Sequence, residues 1–450
     1  MVDEAILLIR LPWLATRRRL LIAILIDAGL FALLFVGLFR LCFGRWPTFS
    51  FPLALLLEFW ITCSYVVGRY YDHEDPTSSL ALKQLVRTLL TLLIATAAYL
   101  SYLWITASAV EAAGARSFLL PFMFSLSLSS GLVQLRLNSF VQNRFARPDT
   151  WLVFGSEAFR EQLEGNLEWL RKPARLSEPG SSGGFYVVED FRQLSPEQES
   201  RLLMLQADGV PIYSVLGWCE HVLQRFPPDL LQAADLLRGE FVAPHGLLEK
   251  RLKRLGDVVV SGLLLMLTAP LLLLAALLIR VEDQGPVFYC QTRSGMGGRP
   301  FQVWKLRSMY VNSEVTGAKW SGRGDPRITK IGRLLRSTRL DELPQLWAVV
   351  QGHMSLIGPR PERPEIEQEL ERHIPFYRIR HLIRPGLSGW AQVNYPYGAS
   401  IEDSKNKLSY DLYYLRNFSF WLDLLILFKT MRLVISARGA IAVKDHDYSI

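Results

Sequence analysis

The chain is poor in cysteine and in charge. Its 450 residues hold only four cysteines, Cys42, Cys63, Cys219 and Cys290, spread across its length. They form no C-x-x-C pair, which excludes a zinc ribbon and a disulfide-stapled scaffold. Charged residues make up 20% of the chain and apolar residues 50%, against a usual ~25% charged. That balance excludes a disordered chain and argues against an ordinary soluble enzyme. A G-x-G-x-x-G fingerprint is also missing. Gly155 stands alone after the strand-like run WLVFGS (151–156), so no dinucleotide-binding signature is present. No small-residue cleavage site follows the first apolar block, which is too long for the core of a signal peptide.

What the chain does have is apolar sequence in blocks and an excess of basic residues. Its length allows two or three domains. A net charge of +8 beside long apolar runs points to anionic lipid or phosphorylated substrates before DNA. Residues 20–43, 51–68, 88–110 and 117–135 each approach the ~20 residues needed to cross a bilayer, although Pro121 and several serines weaken the last. They predict an α-helical N-terminal bundle over 1–145. Arg17, Arg18 and Arg19 precede the first span. Arg69, Lys83 and Arg87 fall between spans two and three, and Arg136, Arg144 and Arg147 follow span four. The positive-inside rule then places everything after 136 in the cytoplasm. Asp27 and Glu58 lie within spans, where a carboxylate is either functional or engaged in interhelical hydrogen bonds.

A fifth block, 255–280, has Pro270 at its middle and basic residues on both flanks, Lys250, Arg251, Lys253 and Arg254 before it and Arg280, Arg293, Arg299, Lys305 and Arg307 after it. Proline interrupts the helical ladder, and a segment cytoplasmic at both ends should leave by the face it entered. The expectation is a re-entrant hairpin bent at Pro270; a straight fifth span with a kink is the alternative. Between the bundle and this block, residues 146–248 alternate strand-like and helix-like runs (WLVFGS, FYVVED, PIYSVL), predicting a small α/β Rossmann-like module. Its flexible stretch is PGSSGG (179–184). Without a phosphate fingerprint, the module is expected to be structural, dimerising or regulatory.

Chemistry concentrates in 249–450. In IGRLLRSTRLDELPQLWAVVQGHMSLIGPRP (331–361), Pro344 suits the first turn of a helix, so a helix should begin near Asp341. One reading makes Asp341 an N-cap and Glu342 a first-turn carboxylate. The other takes note of Arg333, Arg336 and Arg339 upstream and of Arg360 in a rigid G-P-R-P turn. Guanidiniums fork onto phosphate oxygens, one carboxylate can hold Mg²⁺ together with substrate phosphates, and the other can attack phosphorus. Residue types alone leave both readings open.

The runs K-R-L-G-D (253–257), G-P-V-F (285–288), W-K-L-R-S-M (304–309), L-D-E-L-P-Q-L-W (340–347), S-L-I-G-P-R-P (355–361) and R-P-G-L-S-G-W-A-Q-V-N (384–394) together resemble the bacterial sugar transferases, the monotopic phosphoglycosyl transferases. The likeness covers about 250–440; N-Y-P-Y-G-A-S (394–400) and K-L-S-Y-D-L-Y-Y (407–414) resemble the exopolysaccharide subgroup. The resemblance implies a fold: a membrane protein with the helical bundle, the Rossmann-like module and an α-rich catalytic domain carrying a re-entrant membrane helix. It also implies a reaction, transfer of sugar-1-phosphate from a UDP-sugar to membrane polyprenyl (undecaprenyl) phosphate with release of UMP, the initiating step of exopolysaccharide, capsule or O-antigen synthesis. By that resemblance Asp341 is the nucleophile forming an aspartyl-phosphosugar and Glu342 the Mg²⁺ ligand. Arg336 and Arg360 contact phosphate, with Lys305 and Arg307 in a further binding motif. The implied partners are UDP-sugar, polyprenyl phosphate and the lipid bilayer, with no nucleic acid expected; the middle module could mediate a homodimer. The implied location is the bacterial cytoplasmic (inner) membrane. Related chains place Ser-Pro at the hairpin break where this one has Ala269-Pro270, and Thr268 is the candidate to bond the backbone freed there.

Competing readings are an inactive transferase-like assembly or regulatory protein, a glycosidase using paired carboxylates, and a transporter. Intact Asp341, Glu342, Arg336 and Arg360 argue against the first, the lack of a sugar cleft signature against the second, and the lack of an internal repeat against the third. His353, His373 and His381 lack metal-site spacing. Trp304, Trp347 and Trp390 are expected as core or interfacial anchors. Asp411 and Asp423 are substrate-contact candidates by position alone. Residues 420–435 fit either an interfacial or a core helix.

Overall fold

The computed structural model describes residues 18–47, 51–70, 80–106, 109–145, 149–167, 174–177, 185–237, 241, 247–311, 325–396, 398 and 400–435. Arg17, Arg147 and the stretch 179–184 lie outside these. The chain divides into two compact units, one made mainly of residues before Asp149 and the other of Asp149–His446.

Among the described residues the first unit has four helices, α1 (Arg18–Phe43), α2 (Phe51–Val67), α3 (Leu80–Thr106) and α4 (Ala109–Phe145). Leu20–Phe43, Gln84–Ser101 and Phe118–Leu137 are long and apolar enough to cross a membrane. The apolar helix α2 is shorter: at 1.5 Å per residue its 17 residues reach about 26 Å, a little under a bilayer's hydrocarbon core. Phe31, Leu56, Trp60, Ala95, Phe122, Met123 and Leu126 make a core, while Leu25, Leu33 and Leu93 face outward. Such an apolar exterior around an apolar interior suits lipid as solvent. Glu58 points outward. Asp27 is fully buried and accepts hydrogen bonds from Ser130 Oγ (2.5 Å), Tyr70 OH (2.7 Å) and Gln134 Nε2 (3.2 Å). Arg69 pairs with it at 3.6 Å.

In the second unit a parallel sheet comes first, in the order β2-β1-β3-β4: β1 (Asp149–Phe154), β2 (Ala174–Ser177), β3 (Phe185–Val188) and β4 (Ile212–Ser214). Helices α5 (Glu157–Leu167) and α6 (Pro196–Ala207) connect them. Its core is Leu152, Phe154, Tyr186, Val188 and Leu202. Strand β2 escapes sequence reading because ARLS is short and has no apolar pattern. Segment 220–226 joins this sheet to the C-terminal part. Phe226 N donates to Ser409 O (2.8 Å) and Trp390 Nε1 to Gln224 O (3.0 Å). Buried Arg225 bridges Asn166 and Asn406, and Arg416 pairs with Glu220 at 3.3 Å.

The C-terminal part opens with α7 (Leu247–Asp283), which is helical without interruption through Pro270. Glu249–Asp283 is the fourth stretch long and apolar enough to cross a membrane. A straight 37-residue helix would be about 55 Å long, yet both of its ends attach to the same domain. At the start, Lys253 pairs with Asp423 at 2.5 Å, Arg254 donates to Val349 O and Val350 O, and Asp257 accepts from Leu356 N. At the end, Ala275 and Ile279 pack with Leu306 and Leu335, and Glu282 accepts from Lys330 N. Between these ends Leu263, Met266, Leu267, Leu271, Leu273 and Leu274 are exposed. Thr268 Oγ1 bonds Leu264 O, and not the Met266 carbonyl that Pro270 leaves without its i+4 donor. The hydroxyl therefore back-bonds the turn before, a contact that bends helices, and does not repair the proline gap.

The rest comprises the antiparallel hairpin β5 (Phe288–Ser294) and β6 (Pro300–Leu306), then α8 (Lys330–Thr338), α9 (Leu346–Gln351) and β7 (Ser355–Ile357). After α10 (Pro364–His373), β8 (Gly386–Ser388) pairs parallel with β7, followed by α11 (Trp390–Asn394), α12 (Ile401–Asn417) and α13 (Phe420–Ile435). Helix α13 is two-sided: Leu422 and Ile426 are buried, while Phe420 and Trp421 are exposed. Trp390 is a core residue, whereas Trp304 and Trp347 are half exposed.

Candidate active site

Helix α8 is capped at its start by Thr329, whose hydroxyl accepts from Gly332 N, and it ends at Arg339 in the left-handed region, φ 59°. A non-glycine residue there carries a steric cost of roughly 1–2 kcal/mol and marks a place where the surrounding structure dictates the backbone. The chain then enters a 3-10 turn, Leu340–Gln345, that runs into α9. The expected helix start is therefore present but tighter. Pro344 has no N–H for an i−4 bond, and a 3-10 turn accommodates it. Arg339, and not Asp341, takes the capping position. Asp341 and Glu342 are freed from capping and turn inward.

Glu342 gathers the cations. Its Oε1 accepts from Arg360 Nη2 at 2.8 Å and from Lys305 Nζ at 3.2 Å, and its Oε2 from Arg339 Nη1 at 3.3 Å. Burial alone would raise this carboxyl, but Arg360, Lys305 and Arg339 outweigh it and hold it well below the usual range. Asp341 is the opposite case. It is 8% exposed, and burial and the adjacent Glu342 charge lift it to about 6 against the pull of Lys305, Arg336 and Arg339. The ion pairs of the cluster fall on Glu342. Asp341 is thus a buried, relatively basic carboxylate among positive charges, a state suited to attack on an electrophile. Burial lowers Lys305 as well, with Arg360 and Arg293 reinforcing and Glu342 opposing.

The Arg360 loop is held by backbone. Strands β7 and β8 meet at Gly358 and Gly386, where a Cβ on Gly386 would lie 2.1 Å from Gly358 N. Only glycine permits that approach. Gly358 N donates to Ser388 O and Gly386 N to Pro359 O, both at 2.8 Å. Buried Arg380 and half-buried Arg293 then fix the loop carbonyls. Arg380, paired with Asp411 at 2.9 Å, donates to Arg360 O (2.7 Å), and Arg293 donates to Pro361 O (3.1 Å).

The residues singled out from the sequence separate into two groups. Asp341, Glu342, Lys305 and Arg360 come together, and Arg336 stands close enough for its charge to act on Asp341. Arg307 does not join them: it leaves the end of β6 and pairs with Asp283 at the end of α7. Pro270 lies in the exposed middle of α7. Asp411 and Asp423 are tied to Arg380 and Lys253, so both hold structure in place. His381 packs against Glu367 at 3.4 Å. Sequence reasoning noted Arg339 only among the upstream arginines, and it did not read Arg293 or Arg380 as site residues. The signal for Arg339 was its position between helix and turn; Arg293 and Arg380 carry no local signal because they come from remote elements. Among the described residues no three His, Cys, Asp or Glu side chains gather as a metal cage. Asp341 and Glu342 remain as oxygen donors, which fits Mg²⁺ in its usual mode of one or two carboxylates plus substrate phosphate and water.

Residues 248–437 match the family model described as bacterial sugar transferase. The chain is 43% identical over 234 residues to a UDP-glucose:undecaprenyl-phosphate glucose-1-phosphate transferase of Caulobacter vibrioides, covering 51% of this chain and 86% of that one. It is 41% identical over 259 residues to a UDP-N-acetylgalactosamine-undecaprenyl-phosphate N-acetylgalactosaminephosphotransferase of Aeromonas hydrophila, covering 56% and 60%. With an undecaprenyl-phosphate glucose phosphotransferase of Komagataeibacter xylinus it shares 44% identity over 230 residues, covering 50% and 42%. The chain thus spans about half the length of these last two relatives.

Proposed function

The chain belongs to the bacterial sugar transferases, and from that premise we propose that it moves a sugar-1-phosphate from a UDP-sugar onto polyprenyl (undecaprenyl) phosphate. The products are polyprenyl-diphospho-sugar and UMP, and the step would initiate polysaccharide synthesis. The observation that carries this reading is Asp341, a buried carboxylate next to Glu342 inside a cluster where cations outnumber acids.

In the first displacement an Asp341 carboxylate oxygen attacks the sugar-bearing phosphorus. The phosphoanhydride bond breaks, and its electron pair leaves on UMP. In the second, a polyprenyl phosphate oxygen attacks the same phosphorus and the aspartyl P–O bond breaks, restoring Asp341. Each step exchanges one P–O bond for another, so the protein's task is positioning and charge stabilisation. Arg360, Lys305 and Arg336 hold phosphate oxygens. Glu342 would hold Mg²⁺, which when bound would offset the negative charge of the diphosphate.

One substrate is soluble and the other is confined to lipid. A re-entrant course for α7 meets that demand. It is supported by attachment of both helix ends to one domain around an exposed apolar middle. The basic residues flanking the spans support a cytoplasmic site in the bacterial inner membrane. The parallel sheet order supports a Rossmann-like module, here bolted to α11 and α12. UMP release by full-length protein across a panel of UDP-sugars, with undecaprenyl phosphate present, tests the proposal. No release from any of them would favour an inactive transferase-like protein.

A further inference from the structure

Glu342 is bound as a substrate would be. Three cations from three elements converge on one carboxylate: Lys305 from β6, Arg339 from the α8 terminus and Arg360 from the β7–β8 loop. Each of the three pairs with Glu342, at 3.2, 3.3 and 2.8 Å respectively. A carboxylate offers two oxygens, whereas a diphosphate offers more oxygens and more charge to the same donors. Arg339 also holds a left-handed backbone, φ 59°, that places its side chain beside the dyad.

We propose that Arg339 joins Lys305 and Arg360 in binding the donor's diphosphate, and that Glu342 is the resident counter-ion which that diphosphate displaces. The exchange frees the Glu342 carboxylate at the moment a divalent cation arrives with the nucleotide. Without substrate the carboxylate offsets part of the cluster's positive charge, and with it the phosphates offset more. The inference rests on the proposed function for the identity of the anion, but the exchange itself concerns only how these side chains pair.

The test is equilibrium binding of inorganic pyrophosphate and of UDP to the full-length protein in detergent, with EDTA present to remove divalent cations. Glu342→Gln should bind both anions more tightly than wild type, by about tenfold, the equivalent of 1.4 kcal/mol, because no carboxylate competes. Arg339→Asn keeps a residue tolerant of the left-handed backbone. It should bind at least about tenfold more weakly, the loss of one charge-assisted hydrogen bond, and Arg339→Lys should recover part of that loss. If uncompensated cations prevent Glu342→Gln from folding, Glu342→Asp serves instead. Its carboxylate is one methylene shorter, pairs less well with the cations and should give a smaller tightening. Weaker or unchanged binding in both Glu342 variants would overturn the exchange. Unchanged binding in Arg339→Asn would remove Arg339 from the subsite. Failure of UMP release with these binding changes intact would instead reject the proposed reaction.

Discussion

The helical bundle and the C-terminal domain each bury a charge cluster, and the two are composed oppositely. Around Asp27 there is one carboxylate and one guanidinium, and hydroxyl and amide groups bond them: Ser130, Tyr70 and Gln134 on Asp27, Ser64 and Ser130 on Arg69. Trp60 covers the guanidinium at 5.0 Å. Around Glu342 the cations exceed the acids, and the Asp341 carboxylate is raised instead of paired. A closed, charge-matched network of this kind fixes how helices pack. An open one carries the cost of burial so that an anion can complete it.

The widest expected gap between the two clusters is in catalysis. Asp341→Asn should reduce UMP release by roughly 10³-fold or more, as loss of a covalent nucleophile does, while Arg69→Met should leave turnover per folded molecule near wild type. Stability should show the reverse. Breaking the buried Asp27–Arg69 pair through Arg69→Met should cost about 3–5 kcal/mol, and the double replacement Asp27→Leu/Arg69→Met should recover most of it. Chemical denaturation in detergent reads both. Asp341→Asn should instead stabilise at pH 7, on the order of 2–3 kcal/mol, since a carboxyl held near 6 is disfavoured in its charged form. The sign follows from proton affinity. The folded state holds this proton more tightly than the unfolded chain, so the penalty is full above pH 6 and shrinks as pH falls toward 4. An Asp341→Asn protein no more stable than wild type at pH 7 would contradict the open-cluster picture.

Arg360→Ala comes next. It should lower kcat/KM by about 10–150-fold, the equivalent of one charge-assisted contact at 1.5–3 kcal/mol, and Asp411→Asn should reproduce a smaller part of that by loosening the Arg380 tie to the Arg360 carbonyl. The smallest effect is in pH. The kcat/KM profile should fall on its acid side with an apparent value near 6, as Asp341 becomes protonated. A flat profile from pH 5 to 7 would separate Asp341 from the reacting form.

Much of this was readable from residue order. Asp341 and Glu342 are adjacent, Lys305 and Arg360 sit in short dense motifs, and the spans announce themselves by length. What could not be read depends on where a strand or helix stops. Arg307 is two residues past Lys305 and would share its strand face, but β6 ends at Leu306, so Arg307 swings to Asp283. Arg339 looked like one arginine in a three-residue repeat until the left-handed turn separated it from α8. Arg380 reaches the Arg360 loop from a segment 20 residues away, a contact set by tertiary packing. Thr268 was placed correctly near the proline, yet its hydroxyl selects Leu264 because i−4 is where a helical threonine reaches.

A single covalent bond, from Asp341 to phosphorus, is what the ping-pong reaction requires. Full-length protein incubated with a UDP-sugar labelled at its sugar-linked phosphate, without lipid acceptor, should release UMP in equal amount to a label that peptide mapping locates on Asp341. A label on any other residue, or UMP release that begins only when undecaprenyl phosphate is added, would contradict it.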